Sequence, residues 1–160
     1  MMQEHWGTEL KTVISVLQTA LTPAFLLVAV GSLLNVLTGR LSRIVDRSRY
    51  LEEKHPTSDG EELVRIVMEL RILQKRMFIV GRSILLSVLA AIAVCIMIAL
   101  LFLMGLSDFS QAWLIVAVFM VALLLLSGAL LSFVQEVSTA THAIKVRREF
   151  LELPDEESGD

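Results

Sequence analysis

The chain has 160 residues, of which 55% are apolar and 19% charged, and its mean hydropathy is +0.70. That balance excludes an ordinary soluble domain and a disordered chain, and places the protein in the membrane class. The net charge of −3 excludes little as a total, and the single cysteine, Cys95, excludes an intrachain disulfide.

The first ten residues lack a basic n-region, carry Glu4 and Glu9, and lead into an apolar run too long for a cleavable signal. They read as the short translocated tail of an uncleaved anchor. No charge falls between residues 12 and 39, which is longer than the roughly 20 residues an apolar helix needs to cross a bilayer. The first span is expected to begin near Leu10, because Thr8 and Glu9 suit a helix start. Pro23 lies inside the run and removes one backbone donor. Thr19 and Thr22 are placed to satisfy the carbonyl it frees.

Asn35 is the most polar side chain in this span, with Gly31 four residues before it and Thr38 three after. Polar and small residues in a span serve close helix contact or line a protein interior or water path. Gly31, Asn35 and Thr38 are therefore candidates for packing, within or between subunits, and for lining a pore.

Beyond residue 37 the apolar pattern narrows to a seam. Leu37, Leu41, Ile44, Ser48 and Leu51 alternate steps of four and three, the spacing of a coiled-coil face. Arg40, Arg43, Arg47 and Lys54 fall within an arc of ~60° beside it, at ~100° per residue. A solvated face accounts for that stripe. So does a site for anionic lipid headgroups, or a charged vestibule if subunits surround an axis, with Arg40, Arg43 and Arg47 as its candidates. Asp46, Glu52 and Glu53 interleave with the bases, and aromatic interleaving stops at Tyr50, so nucleic acid is not an expected partner.

Residues 55–60, His-Pro-Thr-Ser-Asp-Gly, break the helix. Ser58 with Glu61, or Asp59 with Glu62, offers a capping box for the next one. A second seam follows at Leu63, Ile66, Leu70, Leu73 and Met77 and runs into another uncharged stretch, 83–107. A turn around Gly105, Ser107, Asp108 and Ser110 leads to the third, 109–135, in which Gly128 lies four residues before Ser132. After Gln135 and Glu136 an amphipathic stretch and an acidic tail from Pro154 complete the chain.

Ten of the fourteen Lys and Arg residues lie between the first two uncharged runs, and three more, Lys145, Arg147 and Arg148, follow the third. Positive charge stays on the cytoplasmic side, so the N-terminus is expected outside and the C-terminus inside. Three spans connect those two sides.

His5, His55 and His142 share neither spacing nor compartment, and the uncharged runs offer no titratable group for acid–base work. A non-enzymatic protein with no catalytic residue, no metal site and no cofactor is expected.

The string Leu33-Leu34-Asn35-Val36-Leu37-Thr38-Gly39-Arg40-Leu41-Ser42-Arg43-Ile44-Val45-Asp46-Arg47, preceded by Pro23-Ala24-Phe25-Leu26-Leu27, resembles the signature of a bacterial membrane family catalogued as "domain of unknown function 2721". The resemblance covers about residues 13–148 and departs at Gly39, where Asn is expected. It implies a small bacterial protein of the inner membrane, and it brings no assigned catalytic or ligand residues.

The expected architecture is all-α: one integral membrane domain over residues 1–160, with three transmembrane helices at about 12–38, 83–106 and 112–134. The first two extend into the cytoplasm as an antiparallel helical hairpin, about 39–82, and residues 136–160 form the amphipathic stretch and tail. The expected partners are the lipid bilayer and, through self-association, further copies of the chain; anionic lipid is a candidate. A pore lined by the first span and an adaptor docking a cytoplasmic partner stay open beside a self-associating assembly.

Overall fold

The computed structural model describes residues 2–106 and 112–148. Most of the turn expected around Gly105 to Ser110, and all of the acidic tail from Pro154, therefore lie outside the described residues. Three α-helices account for nearly everything else: α1 over Met2–Lys54, α2 over Glu61–Leu106 and α3 over Ala112–Arg148. A single 3-10 turn, His55–Thr57, joins the first two. All three helices are long and apolar enough to cross a membrane, and lipid favours helices because their backbone polar groups bond within the segment.

The side chains are distributed inside out relative to a soluble bundle. Phe25 is 71% exposed and Leu131 65%, whereas Ser83, Ser87, Ala90, Ala122, Ala129 and Ser132 are buried. Where the solvent is lipid, large apolar groups gain nothing by leaving it, and small residues let backbones approach. Each buried serine bonds its own helix: Ser87 donates to the Ser83 carbonyl at 2.9 Å and Ser132 to the Gly128 carbonyl at 2.9 Å. Ala93, Val94 and Met97 of α2 pack there against Ala122 of α3, with Leu26 and Leu27 of α1 on the margin.

The two seams meet. Ile44 and Leu51 of α1 form one buried cluster with Ile66, Leu73 and Val80 of α2, flanked by Leu41, Leu70 and Met77. Ser48, also buried, bonds Glu52 at 2.9 Å. Ion pairs tie the same stretch, Arg47 to Glu69 at 2.8 Å and Lys54 to Glu62 at 2.5 Å. At the far end of this pairing any side chain on Gly105 of α2 would run into Val16 of α1.

Three local expectations are corrected. The first helix begins at Met2, ahead of the helix start read at Thr8 and Glu9. The Thr19 hydroxyl donates to the Ser15 carbonyl at 2.9 Å, a turn before the carbonyl that Pro23 leaves free, and α1 continues through that proline. Neither capping box forms among the described residues. The Ser58 and Thr57 hydroxyls both go to the Lys54 carbonyl at 3.0 Å, satisfying the end of α1, and Glu62 is engaged by Lys54. Gly60 supplies the left-handed residue before α2, at φ 62°.

Candidate functional site

The three uncharged runs end at Arg40, just after Arg82, and at Glu136. Folding gathers charges from all three helices at that level. The Glu136 side chain, wholly buried at 0% exposure, accepts from Arg40 Nη1 through Oε2 at 2.9 Å and from Arg76 Nη2 through Oε1 at 2.7 Å. Arg40 comes from α1, Arg76 from α2 and Glu136 from α3, so one carboxylate fastens the helices together.

A buried carboxylate is costly unless paired and bonded at both oxygens. Here each oxygen receives a charge-assisted bond of the short, strong kind. The arginines keep partial access to water, at 41% for Arg40 and 28% for Arg76. The Arg40 guanidinium also lies over the Phe133 ring, 5.0 Å from its centroid, a cation–π contact one turn before Glu136 on the same helix. Arg76 Nε is buried and finds no hydrogen-bond acceptor.

This triad forms one end of a cleft of about 440 Å³, whose other lining includes Arg43, Ile44, Arg47, Glu69 and Leu73. Arg47 and Glu69 make a two-bond fork, Nε to Oε1 at 2.8 Å and Nη2 to Oε2 at 3.1 Å. That bonding raises the Arg47 pKa above its already high ordinary value, so its charge persists throughout biological pH. Arg43 is exposed and makes no ion pair among the described residues. Four guanidinium groups thus face two carboxylates around an apolar floor. The chemistry open to such a cleft is recognition of an anion.

The arginines proposed from the sequence, Arg40, Arg43 and Arg47, are brought together in this cleft. Gly31, Asn35 and Thr38 are not part of it. They are exposed on another face of α1, and a Cβ on Gly31 would meet nothing within 4 Å. Thr38 bonds its own helix, donating to the Leu34 carbonyl at 2.9 Å. Gly128, by contrast, packs within the protomer: a Cβ there would touch Leu86 at 3.5 Å.

Sequence reasoning missed Arg76, Glu69 and Glu136. The signal for Glu136 was present, since it is the first charge after the third uncharged run and stands level with the arginines after the first. Among the described residues no group of three His, Cys, Asp or Glu is placed to hold a metal ion.

No curated protein and no solved structure matches this chain. A family model does: the one described as "Protein of unknown function (DUF2721)" matches residues 20–146. Covering most of the sequence, including the cleft and the α1–α2 seam, that match places the chain in the DUF2721 family.

Proposed function

We propose that this is a non-enzymatic, self-associating protein of the bacterial inner membrane, with its N-terminus outside and its C-terminus inside. In this reading the seamed parts of α1 and α2 form a cytoplasmic helical hairpin that prolongs the first two spans. The charge distribution supports the orientation, because the positive-inside bias puts residues 40–82 and 145–148 in the cytoplasm. The uncharged spans support a non-catalytic role, since intramembrane chemistry relies on titratable groups at membrane depth.

Self-association rests on one observation. Val64, Met68 and Ile72, spaced by four, are 54%, 61% and 57% exposed on the side of α2 away from the seam. They stand in a stretch bearing Arg65, Glu69 and Arg71, which the proposed topology puts in water. Burying one such side chain fully is worth about 1.5–3 kcal/mol, so a ridge of three favours a cover. The exposed Gly31, Asn35 and Thr38 face of α1 supports the same conclusion within the membrane, where a partner helix would bond the Asn35 amide.

Cysteine placed at Met68 or Gly31, with Cys95 replaced by serine, tests the reading in native membranes. Cross-linked dimers at either position, and a mass above the monomer in mild detergent, are expected. A strictly monomeric species without cross-links at both positions overturns it, and cross-linking of Met68 only to a different protein supports the adaptor reading instead.

A further inference from the structure

The cleft between α1, α2 and α3 holds more positive donors than its own carboxylates use. A guanidinium carries five N–H donors. Glu136 takes one from Arg40 and one from Arg76, and Glu69 takes two from Arg47. Arg43 makes no hydrogen bond or ion pair among the described residues, and the buried Nε of Arg76 has no acceptor. The Arg76 Nε is closed to solvent, so what the cleft offers an anion is the unpaired fork of Arg43 and the Nη donors left over on Arg40, Arg47 and Arg76.

The donors also suit one class of anion. Guanidinium forks match the geometry of phosphate oxygens, two at a time. Here the forks come from two helices, and Glu136 holds two of them in fixed positions, so little ordering is left to complete on binding. The cleft is open on one side, roomy at about 440 Å³, and lies where the uncharged runs give way to charged sequence. In the proposed topology, on which this step rests, that is the depth of lipid phosphates.

We propose that this cleft is a binding site for a phosphate group, either the headgroup of an anionic phospholipid or a soluble phosphate, with Arg43 and the free donors of Arg40, Arg47 and Arg76 as its ligands. The site is formed within one protomer and does not depend on self-association.

Native mass spectrometry of the full chain in detergent tests it, with phosphatidylglycerol, phosphatidylcholine and inorganic phosphate as probes. One phosphatidylglycerol per protomer is expected to be retained at least about fivefold more strongly than phosphatidylcholine, the increment of roughly one surface cation. Arg43→Gln should lower that preference by about fivefold. Arg43→Lys, which keeps the charge but loses the fork, should fall between. Arg65→Gln, which removes an exposed charge that does not line the cleft, should leave the preference unchanged, and circular dichroism confirms that each variant is folded.

Displacement of the lipid by millimolar inorganic phosphate identifies a soluble phosphate as the ligand, and retention against it identifies the lipid. Equal retention of the two lipids together with no phosphate binding overturns the site. So does a loss of preference that is the same for Arg43→Gln and Arg65→Gln, because general charge would then account for it.

Discussion

Glu136 is the residue on which the packing of α3 against the other two helices is most exposed to test. Its carboxylate is fully buried and receives one bond from Arg40 and one from Arg76, so removing its charge strands two arginines at once. Breaking a buried pair by deleting one partner costs about 3–5 kcal/mol. Both arginines here reach water, which puts Glu136→Gln toward the lower end of that range. A lower Tm in detergent, read by circular dichroism, is the expected outcome. Arg76→Gln should cost more than Arg40→Gln, because Arg76 is the more buried and Arg40 keeps a way to solvent. Against the Glu136→Gln background, either arginine change should cost less than it does alone, with a coupling of about 0.5–3 kcal/mol. Additive effects would mean that the contacts contribute little. Arg40 was legible as a candidate from its place in a basic stripe beside an apolar seam. Glu136 was legible only as the charge that closes the third uncharged run; its pairing was not, because its partners stand 96 and 60 positions away and no local spacing announces it.

At the level of the helices, legibility depended on the solvent. Along the charged parts of α1 and α2, apolar residues stepping by three and four marked the inner face, and Leu37, Ile44, Leu51, Ile66 and Leu73 are indeed buried. In the uncharged parts the same rule has no purchase, since every face is apolar and the buried one is set by small residues. Ser83, Ser87 and Ala90 of α2, with Ala122 and Ala129 of α3, carry that contact, and of the small-residue pairs in α3 only Gly128 with Ser132 stood out in the sequence. Ser87 separates volume from polarity. Ser87→Ala should be nearly neutral, because its hydroxyl bonds only the Ser83 carbonyl of its own helix. Ser87→Leu overfills a fully buried position and should destabilise by about 1–3 kcal/mol, measured as a fall in Tm. Glycines give a second contrast. Gly105→Val forces Val16 and α1 away from α2, whereas a Cβ on Gly31 meets nothing within the protomer. Gly31→Val should therefore preserve the protomer's Tm and weaken cross-linking between copies. Unchanged cross-linking would remove this face of α1 from the proposed contact.

For the whole molecule the helices are too long for the bilayer alone. At 1.5 Å per residue, the 53 residues of α1 and 46 of α2 span ~80 Å and ~70 Å, against a hydrocarbon core of ~30 Å. In the proposed topology the excess projects from the membrane, and the charges state where. The uncharged runs end close to the level of Arg40, Arg76 and Glu136, so in the proposed topology that triad marks one boundary of the membrane and the seamed halves of α1 and α2 lie beyond it. Which compartment lies beyond follows from the proposed orientation, in which the arginine-bearing side is cytoplasmic. Single cysteines along α1 test boundary and sidedness together, with Cys95 replaced and a membrane-impermeant maleimide as the label. Position 28 should resist labelling in intact cells and in lysed ones, because lipid surrounds it. Positions 46 and 59 should resist in intact cells and label once the membrane is opened, with the step in reactivity falling between 35 and 43. Labelling of position 59 in intact cells would invert the topology and put the phosphate cleft in the opposite leaflet. A step displaced by two or more helical turns would detach the Arg40–Glu136–Arg76 triad from the membrane boundary, and with it the argument that lipid phosphates lie within reach of Arg43.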